Sequence, residues 1–477
     1  MMGKHFMIAA MVLSASLVMV PGLSLASEDG GVTAKQTPPV GSAPRDFSLP
    51  KIETYTLKNG TRVTLASYGS VPKVAIRAVT AVGNLNDGET PWIADLAARM
   101  MVEGAAGRSA SEQALLAAAM GGDLNIGAGL DQTIVTMDVL SENAGDAIGL
   151  MGDVLQRPDF PTSEFERVKQ NLLRNLSVAQ TRPQSLATDA FIGAMYPDHP
   201  YAEAVLPDAD DFSALTLEQV AAFHSDNFGA ARTHIYVVGQ FKRRAVKRAI
   251  KESFGKWAAG PAPLSSPPGT GADPQLLLVD RPDAAQSTVR LGKRVPAISG
   301  ALDLSAANTM LGGYFSSRIT RNIREDKGFT YSPSSGFSRE VGTAYWRQNA
   351  DITSESTGPA LTEIIKEIRG LQETPPPADE LEGVKNYMNG VYVIGLASRG
   401  GLARQLGFVD LHELGLGYLE NYVGVVNALS AQDLQNAAKE HLKIDEMSLV
   451  VVGDLAGVRP QLEAIPEFER LLTHEPD

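Results

Sequence analysis

GGYFSSRITRNIREDKGFTY, running from Gly312 to Tyr331, combines glycines, a basic helix and aromatic residues at a chemically useful spacing, with Arg324 and Tyr331 seven residues apart. Gly312 and Gly313 relax the backbone. Phe315 to Glu325 is predicted as a helix whose apolar positions are Phe315, Ile319 and Ile323, and Lys327-Gly328 ends it with a glycine in the C-cap region. Phe329 and Tyr331 then alternate into an extended segment. This layout sets a guanidinium and a phenol on one side of a cleft, where a fixed cation and a hydroxyl donor can hold a peptide carbonyl or a developing oxyanion. The plainer reading is a surface helix with Arg324 paired to a nearby carboxylate.

The stretch resembles the arginine/tyrosine element of pitrilysin-type zinc peptidases, the family of insulin-degrading enzyme and mitochondrial processing peptidase. There the element runs G-G-x-F-S-S-R-L, then L-R-E-x-x-G-x-x-Y. Here it stands as Gly312-Gly313-Tyr314-Phe315-Ser316-Ser317-Arg318-Ile319, then Ile323-Arg324-Glu325, then Gly328 and Tyr331. The resemblance implies that Tyr331 donates to the oxyanion and Arg324 orients the substrate. Gly312, Gly313 and Phe315 would lie along the bound peptide.

Working outward, Ala258 to Pro274 is dense in proline, glycine and serine and reads as a linker. The chain repeats around it. Leu215-Thr216-Leu217-Glu218-Gln219-Val220 recurs as Leu429-Ser430-Ala431-Gln432-Asp433-Leu434, and Val237-Val238-Gly239 recurs as Val451-Val452-Gly453, both 214 residues on. An earlier block, with Leu155, Glu164, Glu166, Val168 and Lys169, recurs 216 residues on as Leu371, Glu380, Glu382, Val384 and Lys385. Repetition on this scale points to a duplicated domain. Runs of strands followed by runs of helices predict an α+β fold, two homologous sandwiches with helices on one face of a largely antiparallel sheet. The resemblance implies the same, with the two domains forming half of a clam-shell chamber. The expected organisation is residues 51–257 as the first domain, 258–274 as the linker, 275–465 as the second domain and 466–477 as an acidic tail.

In the resembled family, a helix of the first domain carries H-x-x-E-H, two histidines for zinc and a glutamate that polarises water. A glutamate in a later helix completes the site. The matching register puts Asp95 and Arg99 in place of the histidines, Ala98 in place of the glutamate and Asn175 in place of the last ligand. Asp95 and Arg99, spaced i, i+4, are expected to form a local ion pair. The seven histidines include no pair at i+3 or i+4, so no metal is expected in this chain. No G-x-S-x-G elbow, phosphate loop or dinucleotide fingerprint is present. Around Asn125 the chain reads as an edge strand, which the resemblance suggests for peptide addition; Gly121-Gly122 and Gly127 equally suit a bulge.

A net charge of −13 and a pI near 5.1 argue against a nucleic-acid partner. The absence of cysteine excludes disulfides, a thiol nucleophile and cysteine-ligated metal. Met1 to Ala26 reads as a cleaved export signal, with Lys4 and His5, an apolar run and Ser24-Leu25-Ala26, so the periplasm is expected; an uncleaved anchor is the alternative. Residues 27–50 read as a flexible lead. The resemblance, with the zinc positions replaced and the arginine/tyrosine element retained, implies a zinc-less subunit of a heteromeric zinc peptidase, acting on peptides or unfolded polypeptides. Its partner would be a homologous chain with an intact H-x-x-E-H that carries the zinc. The alternative is a catalytically silent scaffold or peptide-binding protein of the same fold.

Overall fold

The computed structural model describes residues 48–197, 199–264, 273–297 and 301–472. The export signal, nearly all of the flexible lead, part of the linker and residues 473–477 fall outside the described residues.

The first half builds β1 (Ile52–Thr56), β2 (Arg62–Ser67), β3 (Lys73–Thr80), the two-residue pair β4 (Gly104–Ala105) and β5 (Arg108–Ser109), then β6 (Asn125–Ala128), β7 (Thr133–Leu140) and β8 (Thr233–Gly239). The second builds β9 (Leu276–Asp280), β10 (Gln286–Val295), β11 (Ser334–Phe337), β12 (Ala344–Thr353) and β13 (Ser448–Gly453). The sheet orders are β1-β2-β8-β3-β7-β6 and β11-β12-β10-β13-β9. Leaving β1 aside, the two orders coincide when the second is read from β9. Each sheet has one parallel pair at the matching place, β2 with β8 and β9 with β13, and is otherwise antiparallel. The fold is therefore a duplicated α+β sandwich.

Each sheet packs one face on helices of its own half. Leu65, Ile76, Leu96, Met100 and Ile148 share one core; Leu291, Trp346, Ile319, Ile323 and Ile364 share the other. The opposite face is not left open, as helices on one face alone would imply. Helix Pro183–Met195 of the first half lies on β10 and β13, with Phe191 against Tyr345. Helix Arg399–Leu411 of the second half lies on β3 and β8, burying Leu402, Leu406 and Val409 with Tyr236 and Val238. Each half lends one helix to the other's sheet. Strand β8, THIYVVG, is buried along its whole length because both faces are covered.

Polar contacts fasten this seam. Asp410 takes hydrogen bonds from Tyr236 Oη at 2.8 Å and His234 Nδ1 at 2.7 Å, and forms an ion pair with Arg62 at 2.6 Å. Thr64 Oγ1 meets His234 Nε2 at 2.8 Å. Burial lowers the His234 pKa against the pull of Asp410, and its two ring nitrogens are both engaged within the seam.

Two expected boundaries change. The linker begins as anchored chain: Ala230 and Ala231 N–H donate to Ala258 and Ala259 carbonyls, and Arg232 donates to Ala262. Residues 466–472, expected in an acidic tail, form short helices with Phe468 and Leu471 buried in the second core. Among the described residues no helix is long and apolar enough to cross a membrane.

Candidate active site

The helix predicted from Phe315 begins instead at Arg318 and runs to Asp326, its second part in wide π-type turns. Tyr314 is extended (φ −150°, ψ 170°), so the backbone breaks there and Phe315 falls in a turn before the helix, 62% exposed. Ile319 and Ile323 are fully buried and hold the helix to the core. Arg318 pins its start through a two-pronged ion pair with Glu380, at 2.7 and 2.6 Å. At the far end Gly328 takes φ +67°, and Gly328 and Phe329 N–H donate to the Arg324 and Ile323 carbonyls.

The extended segment is brief. Thr330 pairs with Ile352 of β12, and its hydroxyl donates to the Asp351 carbonyl at 2.6 Å. Tyr331 then leaves the sheet, 79% exposed. The Arg324 guanidinium lies 4.2 Å from the centroid of Phe315 and 5.2 Å from that of Tyr331. No carboxylate is within ion-pair distance of it among the described residues. Two aromatic rings, rather than the carboxylate of the plainer reading, hold this cation, and its N–H groups stay available to a ligand. Gly312, Gly313, Tyr314, Phe315, Arg324 and Tyr331 border one pocket of about 390 Å³.

Neither Gly312 nor Gly313 has a positive φ. A Cβ on Gly312 would lie 2.5 Å from Ser335 Oγ and 2.9 Å from Gln348 Oε1; on Gly313, 2.9 Å from Asn308 Nδ2. The glycines allow a helix end to touch the sheet, which places the pocket floor directly over β11 and β12.

In the first half, the four positions that the sequence register sets against the zinc motif lie on helices Ile93–Met101 and Thr162–Thr181. Ala98 is buried and has no donor atom, Arg99 is an exposed cation, and Asn175 is an exposed neutral amide on helix Thr162–Thr181. Asp95 accepts a hydrogen bond from Asn84 Nδ2 at 2.8 Å, and the same nitrogen donates to Asp87 at 2.9 Å. The expected Asp95–Arg99 ion pair does not close: Asp95 sits in the first turn of helix Ile93–Met101 and turns back to Asn84, while Arg99 faces solvent. Asp87 receives the Trp92 and Ala94 N–H groups at 2.9 and 3.0 Å, capping this helix. Its burial pushes the carboxyl up to about 7, against the pull of those bonds. Among the described residues, no group of three or more His, Asp or Glu is placed to hold a metal ion.

Asn125 is exposed at the start of β6, the edge of the first sheet, and pairs with Thr136 in an unbroken register. Gly121 (φ +83°) turns the chain ahead of β6, and a Cβ on Gly122 would lie 2.3 Å from the Asp138 carbonyl. These two serve the entry turn rather than a bulge.

The family model for the M16 peptidase, insulinase type, matches residues 62–209, and that for the M16 inactive domain matches residues 214–388. The chain belongs to the M16 peptidase family. An uncharacterised zinc protease of Mycobacterium tuberculosis is 24% identical over 405 residues, covering 83% of this chain and 92% of the relative. A peptidase M16 inactive domain from Pseudomonas fluorescens superposes with a TM-score of 0.78 at 26% identity, over 84% of this chain and 98% of that one. The periplasmic protease PqqL of Escherichia coli has the same fold, with a TM-score of 0.73 at 18% identity; the match covers 92% of this chain and 49% of PqqL. The pocket bordered by Arg324 and Tyr331 lies within the stretch matched by the M16 inactive-domain model, and Asp95, Ala98, Arg99 and Asn175 lie within the stretch matched by the M16 peptidase model.

Sequence reading missed the seam residues Arg62 and Asp410, and also the guanidiniums of Arg77 and Arg404, which stand in no local motif and come near one another only when the second half packs on the first.

Proposed function

We propose that this M16 chain is the non-metal-binding subunit of a heteromeric peptidase in the periplasm. It would supply Arg324 and Tyr331 to a hydrolytic centre held by a homologous partner with an intact H-x-x-E-H. The observation that carries this reading is the contrast between the two halves. Arg324 is held in position by Phe315 and Tyr331 without an ion pair, whereas Asp95, Ala98, Arg99 and Asn175 offer no coordinating set. A scaffold needs neither an exposed Tyr331 nor a stacked, unpaired guanidinium.

In this role the Tyr331 hydroxyl donates a hydrogen bond to the oxygen of the carbonyl under attack and strengthens that bond as negative charge develops. Arg324 presents its fork of N–H donors to the substrate backbone. The chain moves no proton of its own. The periplasmic assignment rests on the export signal read at Met1 to Ala26 and on the fold shared with PqqL.

Reconstitution tests the proposal. Cleavage of a short quenched peptide is measured with this chain alone, with the zinc-bearing chain alone, and with the two mixed. Activity only in the mixture is expected. Chelator-sensitive cleavage by this chain alone contradicts the metal argument, and no gain on mixing favours the scaffold.

A further inference from the structure

A cleft of about 750 Å³ lies between the halves and shares Gly313 with the Arg324 pocket. Tyr314, at the edge of that pocket, packs at a tilt against Tyr387 of the cleft, with 4.9 Å between ring centroids. Tyr387 and Val391, one helical turn apart, are 41% and 52% exposed. An aromatic and apolar track therefore leads from Arg324 and Tyr331 into the cleft.

The charges of this cleft run against those of the whole chain. The sequence has 55 acidic and 42 basic residues. Yet the cleft is bordered by Arg77, Arg339 and Arg404 and, among the described residues, by no aspartate or glutamate. None of the three guanidiniums has a carboxylate within ion-pair distance among the described residues. Arg77 rises from the centre of β3, and its buried Nε has no hydrogen-bond partner. Arg404 projects from helix Arg399–Leu411, which the second half lays across that strand, and Arg339 rests on the Phe408 ring of the same helix at 5.7 Å. Burial lowers the Arg77 pKa, Tyr236 partly opposes this and the nearby Arg404 charge adds to it, so two like charges line the cleft without a carboxylate partner among the described residues. Such an arrangement costs stability unless an anion relieves it.

We propose that this cleft is a carboxylate-recognition site, in which Arg77 and Arg404, flanked by Arg339, anchor an anionic end of a peptide while its chain runs along Tyr387 and Tyr314 toward Arg324. Guanidinium forks match the planar carboxylate and accept it in two-pronged hydrogen bonds. The substrate class is peptides with a free C-terminal carboxylate or an acidic side chain a few residues from the cleaved bond. This inference rests on the peptide-handling role proposed above.

Fluorescence anisotropy with the purified mature chain tests it without the partner subunit. Three dye-labelled peptides of one neutral sequence are compared: a C-terminal amide, the same peptide with a free C-terminal carboxylate, and the amide with one internal glutamate. Either carboxylate is expected to tighten binding by roughly tenfold over the neutral amide, since charge-assisted bonds are the stronger class. Which one does so identifies the source of the anion. Arg404→Gln, at an exposed position, is expected to erase the preference, and Arg404→Lys to restore part of it. Equal binding of all three peptides, or no binding of any, overturns the proposal, as does a preference that survives both Arg404→Gln and Arg77→Gln. Loss of this preference with an active mixture rejects the cleft alone; a preference retained with an inactive mixture rejects the catalytic reading alone.

Discussion

Arg324 shows how a cation can be fixed without being neutralised. Stacking on aromatic rings is worth about 0.5–1 kcal/mol at exposed sites. Two rings at 4.2 and 5.2 Å therefore restrict the guanidinium while leaving its N–H groups free. Phe315→Ala is expected to leave stability within about 0.5 kcal/mol, because the ring is largely exposed. In the reconstituted pair it should raise KM several-fold with little change in kcat, a split that steady-state kinetics reads directly. The pairing of Arg324 with Tyr331 was legible through the family resemblance, since their spacing alone suited a surface helix with an ion pair at least as well. The part played by Phe315 was not, because helical periodicity assigned it to the buried face; the extended Tyr314 releases it. Asp95 and Arg99 were misread for a related reason. The i, i+4 rule describes neighbours on an exposed helix surface, and Asp95 instead turns off the first turn toward Asn84.

At the scale of elements, close approach and helix capping each give a test. Gly312 carries a helix end onto buried Ser335, whose hydroxyl is already committed to Asn308 Oδ1 at 2.7 Å and cannot yield. Gly312→Ala is expected to cost about 1–3 kcal/mol in urea unfolding. An unchanged midpoint would show that the contact relaxes freely. Asp87 caps helix Ile93–Met101 with a carboxyl raised to about 7, so the folded state holds a proton that the unfolded chain releases near its ordinary value of about 4. Stability therefore falls as pH rises from about 4 to 7. Asp87→Asn should flatten part of that slope, measured as urea midpoints at several pH values across the window; an identical slope would contradict the assignment. Most strands were legible because their apolar runs are short and bounded by turns. The boundary near Arg318 was less so, since an extended Tyr314 sets the start of the helix.

The whole molecule is two copies of one sandwich locked by exchanged helices. The duplication was readable because similar blocks recur at nearly one offset, and the shared strand order follows from it. The exchange was not readable. Apolar positions in Pro183–Met195 and Arg399–Leu411 announce burial but not which sheet receives them, and Arg77 and Arg404 become neighbours only through that choice. The same division of the chain underlies the functional account, in which one half keeps its chemistry and the other keeps its shape. The most direct measurement is steady-state cleavage by the reconstituted pair with Tyr331→Phe, alongside a binding assay for the two subunits. The account predicts kcat lower by about 10²- to 10³-fold with subunit affinity unchanged, the loss of one oxyanion donor. An unaltered kcat in an intact complex would contradict it.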